Sequence, residues 1–187
     1  MKSKNSFMKI SAIFLAVLLV ASLCSCDVSL PGKPKITSLN FSTDARVSYK
    51  SYDLIDCKMV SVEDGPLTID IEKPVLLSGL QIVCQNEGCT IKVGSLSYEA
   101  DINQFPQVGF GNILRQSLIL AKDSTEAEKN EDGTWTIKSQ LESSHVELKI
   151  DGETGYPISL SIPEEEINVI FMNFTNKTEA DTTQKTE

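Results

Sequence analysis

Short runs in which every second residue is apolar recur along most of this 187-residue chain. A strand turns successive side chains to opposite faces, so such runs read as half-buried β-strands. Leu39 and Phe41 share a face, as do Ala45, Val47 and Tyr49. Leu67, Ile69 and Ile71 alternate with polar neighbours, and Leu80, Ile82 and Cys84 form the next row. Cys89, Ile91 and Val93 follow, then Leu96, Tyr98 and Ala100. Later rows are Trp135 and Ile137; Val146, Leu148 and Ile150; Ile158, Leu160 and Ile162; Ile167, Val169 and Phe171. Turn formers separate them, among them Glu63-Asp64-Gly65-Pro66, Asn86-Glu87-Gly88, Gly94-Ser95 and Asp151-Gly152-Glu153-Thr154-Gly155. Strands at this spacing predict a mainly β domain built on one curved antiparallel sheet with a single covered face.

One segment departs from the period. From Pro106 to Ala121, the residues Phe110, Ile113, Leu114, Ser117, Leu118 and Ala121 recur at helical spacing. Pro106 suits a helix start, while Gly109 and Gly111 each weaken the first turns by about 1 kcal/mol relative to Ala. The expected fold is therefore α+β, with one amphipathic helix between two blocks of strands.

The N-terminus reads as an export signal. Lys2, Lys4 and Lys9 precede an apolar run from Ile10 to Leu23, which is short for a membrane span. Leu23-Cys24-Ser25-Cys26 then resembles a bacterial lipoprotein cleavage site. Residues 1–25 are expected to be removed and Cys26 to carry acyl chains such as palmitate. A tether holding Pro31, Gly32 and Pro34 follows over 26–35, a domain over 36–174, and a disordered polar tail over 175–187. The expected location is extracytoplasmic, lipid-anchored to the bacterial cell membrane.

Three of the 17 Lys and Arg fall in the leader and none of the 26 acids does, so the remainder carries a formal −12. Such a charge argues against nucleic acid, whose phosphates need Lys and Arg, and against electrostatic adhesion to anionic lipid. Catalysis finds little support. His145 is the one histidine, no paired Cys-x-x-Cys or His-x-x-x-His exists, and no Gly-x-Ser-x-Gly elbow is present. Glu164-Glu165-Glu166 reads as a solvated turn rather than a cation site. No enzyme, cofactor or metal is expected.

After cleavage three cysteines remain besides the acylated one: Cys57, Cys84 and Cys89. If Ile82 faces Ile91 and Leu80 faces Val93, Cys84 faces Cys89 on one side of the sheet, within disulfide reach. A bulge in the Asn86-Glu87-Gly88 turn would shift the register by one and leave two separate thiols. Cys57 reads as a free, buried small hydrophobe.

Several local patterns occur in order: Ala45-Arg46-Val47-Ser48-Tyr49, then Ile69-Asp70-Ile71 running to Pro74 and Ser78-Gly79-Leu80, then Asp151-Gly152-Glu153-Thr154-Gly155-Tyr156-Pro157, with Phe171-Met172-Asn173-Phe174 closing the chain. With about six strands before the helical insertion and four or five after it, the chain resembles the LolA-like lipoprotein-carrier superfamily, including acyl-chain-binding lipoproteins of the LppX and LprG kind. The family's long N-terminal helix has only the Pro-containing tether in its place. The resemblance implies a half-barrel of about 10–11 strands whose apolar hollow, capped by helix, holds lipid acyl chains. By parity, the implied lining is Val47, Tyr49, Ile69, Ile71, Leu80, Ile82, Ile91, Val93, Trp135, Ile137, Leu148 and Ile150, with Phe110, Leu114 and Leu118 as the helical lid. The competing expectation is a hollow filled by its own side chains, in a sensor or interaction lipoprotein with an envelope protein as partner.

Overall fold

Eleven strands form one antiparallel sheet in the computed structural model, and a single long helix lies against it among the described residues. Those residues are 36, 38–50, 54–85, 88–100 and 106–177, without the side chains of 106–108. The expected leader, Cys26, the tether to residue 35 and residues 178–187 lie outside them. The chain divides into units 1–33 and 34–187, and all described residues belong to the second.

The strands are β1 Phe41–Tyr49, β2 Ile55–Ser61, β3 Leu67–Lys73, β4 Leu80–Gln85, β5 Gly88–Val93, β6 Leu96–Ala100, β7 Ala127–Lys129, β8 Trp135–Leu141, β9 Ser144–Ile150, β10 Pro157–Ile162 and β11 Ile167–Asn176. Helix α1, Pro106–Asp123, separates the first six from the last five. The sheet order is β6-β5-β4-β3-β2-β1-β11-β10-β9-β8-β7. The two blocks are meanders of neighbouring strands, joined at the centre by the β1–β11 pair. That pair exists because the last strand returns beside the first, with Tyr49 opposite Ile167 and Phe41 opposite Asn176.

The open sheet and the helix between blocks match the fold expected from sequence. Two strands were not among the alternating rows. β2 carries Ile55, Cys57 and Met59 on its buried face, but Val60 also sits among its outward residues and blurs the period. β7 is three residues long and brings only Ala127 to the core. At the other end, β11 runs two residues past the expected domain boundary. It does so through an irregularity opposite Ser42 and Asp44, where Asn173 takes a left-handed φ of 51°. The Asn173 amide donates to Asp44, and the buried Thr43 hydroxyl donates to the Met172 carbonyl at 2.7 Å.

The sheet curves around the helix. It touches β3, β4 and β5 in one wing and β8 and β9 in the other. β5 and β8 are eight strand spacings apart in the sheet order, about 38 Å if flat. An 18-residue helix is about 27 Å long. The helix meets both wings because the sheet bends around it. Phe110, Leu114, Leu118 and Ala121 face the sheet and are buried. The Arg115 guanidinium donates to the Gly65 carbonyl, and Lys122 pairs with Glu63, tying the helix to the β2–β3 turn. Past its end, the Ser124 hydroxyl and the Glu126 carbonyl both bond the backbone of Lys138 in β8.

Candidate functional site

The concave face is built by parity. Val47, Tyr49, Ile69, Ile71, Ile82, Ile137, Leu148 and Ile150 all lie in the core beneath or beside the helix, with Met59, Leu67, Val146, Leu160, Ile162, Ile167 and Val169. The lid residues Phe110, Leu114 and Leu118 pack down into this face, with the Phe110 ring 5.8 Å from that of Tyr49. Side chains thus occupy the middle of the bend. Leu80, Ile91 and Trp135 are half-buried against the cluster. Val93 is 52% exposed, so it stands at the margin of the face rather than within it. Parity places Val93 in the same row as Ile91, but the helix crosses the face short of it.

Cys84 and Cys89 stand opposite each other in the β4–β5 ladder and form a disulfide. The bond lies under the helix. A Cβ on Gly111 would be 2.8 Å from the Cys84 sulfur and 3.3 Å from Ile69 Cδ1. Glycine at 111 is what lets the helix backbone settle onto this wing. Cys57, in β2, is free and buried, and its thiol pKa is pushed up to about 12 by that burial. A thiol held protonated in this way is a poor nucleophile.

Beyond the helix, one end of the first wing stays open. The antiparallel register puts the start of β2, the β3–β4 connection, the β5–β6 turn and the start of β6 at the same end of the sheet. There Leu54, Val75, Leu76, Leu77, Val93 and Leu96 are exposed, Leu76 at 95%. Val75–Leu77 form a single 3₁₀ turn with no buried residue. Tyr98, 53% exposed, continues the apolar row along β6 from Leu96 toward the buried Ala100. Sequence reasoning placed Val93 in the lining and Leu96 and Tyr98 in an alternating row, but missed that they form an exposed rim with Leu54 and the Val75–Leu77 turn. Its one signal was Val75-Leu76-Leu77, three consecutive apolar residues out of strand period after Pro74.

A second feature is polar. An open groove of about 570 Å³ lies where α1 ends, lined by Leu120, Asp123, Ser124, Thr125, Glu126, Lys138, Ser139, Gln140 and His145. Lys138 is paired with Glu128 at 2.9 Å. The His145 ring lies 2.6 Å from Glu164, and its backbone N–H donates to the other oxygen of the same carboxylate. The bond to the His145 ring, then those from the backbone N–H groups of Glu164 itself and of His145, hold the Glu164 carboxyl below its usual range. Ser144 donates to Glu165, so two of the three consecutive acids brace the start of β9. No cluster of three His, Cys, Asp or Glu that could hold a metal exists among the described residues.

No family model matches the chain. No curated protein matches it either. Among solved structures it is similar to an uncharacterized conserved protein from Thermus thermophilus, at 11% identity and a TM-score of 0.46, over 81% of this chain and 88% of that one. It is similar also to a LolA superfamily protein from Nitrosomonas europaea, at 10% identity and a TM-score of 0.42, over 82% of this chain and 93% of that one.

Proposed function

We propose that this protein is a non-enzymatic lipoprotein of the bacterial envelope, held outside the cytoplasm by acyl chains on Cys26, that binds lipid acyl chains at the open end of its concave face. One observation carries the reading. The apolar face runs on past the part that the helix covers: Leu80 and Ile91 are half-buried, and Val93, Leu96 and Tyr98 continue the face into solvent, beside the exposed Val75–Leu77 turn. An acyl chain laid there would cover this row, with each methylene removed from water worth about 0.8 kcal/mol. Part of that gain offsets the loss of ligand freedom. The filled middle of the bend limits the chain to the rim unless the helix moves.

Mass spectrometry of an organic extract of the purified chain from residue 27 onward, with uptake of a fluorescent fatty acid, tests this. Near-stoichiometric co-purified lipid, or saturable uptake, is the expected result. A clean extract with no uptake would remove the lipid reading. Anchoring is tested separately: Cys26→Ala moves the protein from the membrane to the soluble fraction, and a variant that still pellets with membranes overturns the anchor.

The burial of Val47, Ile69, Leu148 and Ile150 against the helix favours a second reading, an interaction lipoprotein with a filled core and no ligand. The same extraction separates the two.

A further inference from the structure

β6 closes one side of the sheet, with β5 as its partner among the described strands. Gly94 and Ser95 form the two-residue turn between them, Gly94 taking the left-handed first position at φ 58°, and the turn closes on Val93 and Leu96. A turn of this length closes on a hydrogen-bonded pair, and such pairs alternate along an antiparallel ladder. Leu96, Tyr98 and Ala100 therefore aim their backbone groups at β5. Ser97 and Glu99 aim theirs away from it, toward the open side. Residues 96–99 are all exposed. An edge of this kind is a template for a further strand.

We propose that this edge pairs with the same edge of a second copy of the chain, antiparallel about a two-fold axis at Tyr98. Three self-registers use the outward groups. Centring on Glu99 sets two carboxylates opposite each other, which destabilises a ladder. Centring on Ser97 needs the next bonds to come from Ser95, inside the turn. Centring on Tyr98 sets Ser97 opposite Glu99 twice, and all outward N–H and C=O groups of both residues bond, four hydrogen bonds in all. Side chains agree with that register. On the outer face, Lys92 lies beside Ser97 in the β5–β6 ladder, and Ser97 then lies beside Glu99 of the second copy. Lys92 and that carboxylate are two strand spacings apart, about 10 Å, and both are long enough to meet above the small serine. On the concave face Tyr98 meets its own copy, and Leu96 covers Ala100. The two concave faces would lie on the same side of the joined sheet, with the two exposed rims at its opposite ends. A five-residue strand buries less than the roughly 1,200 Å² of stable complexes, so the dimer is weak and reversible. This pairing stands independently of any lipid.

Sedimentation equilibrium of the chain from residue 27 onward, over a micromolar-to-millimolar series, tests it. The expected result is a mass rising toward twice the monomer. Amide exchange in the concentrated sample slows at Ser97 and Glu99 and stays unchanged at Tyr98, whose N–H is already bonded to β5. Ser97→Pro removes an outward donor that the monomer does not use, and abolishes the dimer with thermal unfolding intact. Should that variant not fold, Tyr98→Lys serves, since it sets two like charges opposite each other. A single monomer mass throughout, a dimer that survives both substitutions, or exchange protection away from Ser97 and Glu99 would overturn the pairing.

Discussion

The backbone of Gly111 in the helix approaches the Cys84 sulfur so closely that a Cβ there would sit 2.8 Å from it. The sulfur is tied to Cys89 and lies in a fully buried part of the core. It cannot swing aside as the end of a free side chain would. Gly111→Ala improves helix propensity by about 1 kcal/mol and adds an overpacked methyl costing about 1–3 kcal/mol. The expected outcome is net destabilisation in urea unfolding. In a Cys84→Ala, Cys89→Ala background the same substitution meets no sulfur and costs less, or stabilises. Equal effects in the two backgrounds would show that the disulfide is not what excludes the methyl.

Thiol labelling reads the three cysteines together. In the native, unreduced chain from residue 27 onward, Cys57 is buried with its pKa pushed up to about 12, and Cys84 and Cys89 are bonded. Iodoacetamide at neutral pH is expected to label none of them. Denaturation without reductant exposes one thiol, and reduction exposes all three. Intact-mass spectrometry counts the adducts, and three adducts before reduction would mean that the disulfide does not form.

Most strands were legible because their apolar residues recur in period two, as in Ala45, Val47 and Tyr49 of β1 or Val146, Leu148 and Ile150 of β9, and because Gly94-Ser95 marks one hairpin turn. The Cys84–Cys89 opposition follows from the same arithmetic, since Ile82 does stand opposite Ile91. What period cannot reveal is how far a covering element reaches. Ile91 and Val93 share a face, yet the helix crosses short of Val93, so one is half-buried and the other is exposed. β2 was obscured for a related reason. Val60 faces away from the core, and an outward apolar residue breaks the pattern that marks its neighbours. The polar groove at the helix end had no local signature, because its lining comes from α1, the segment after it, β8 and β9.

Stability should fall on acidification. Asp132 is held well below the usual carboxylate range, first by its bond from Lys149 and then by those from Thr134; Asp56 is lowered chiefly by Arg46, and Glu164 chiefly by His145. Each is depressed in the folded chain, so its contribution is complete above the ordinary carboxylate pKa and is lost as pH falls through the folded one. The melting temperature is expected to hold from neutrality down to about pH 5 and to drop below about pH 4. Asp132→Asn flattens that drop. An unchanged slope in the variant would show that its bonds with Lys149 and Thr134 contribute nothing in solution.

The rim and the buried lid should separate function from folding. Leu76 and Val93 are exposed at 95% and 52%, so Leu76→Ser with Val93→Ser is expected to alter unfolding free energy by no more than about 0.5 kcal/mol per site. If acyl chains bind along the open end, the same pair weakens fatty-acid uptake several-fold, because the surface that would cover the chain becomes polar. Leu114→Ala is the contrast. Leu114 is fully buried between helix and sheet, and its truncation costs about 2–5 kcal/mol. It also opens space in the middle of the bend, where a longer chain could enter, so uptake is expected to hold or rise while stability falls. Titration of a fluorescent fatty acid beside urea unfolding measures both quantities on each variant. Unchanged uptake in the double rim variant would place any lipid elsewhere and leave the exposed rim to a protein partner.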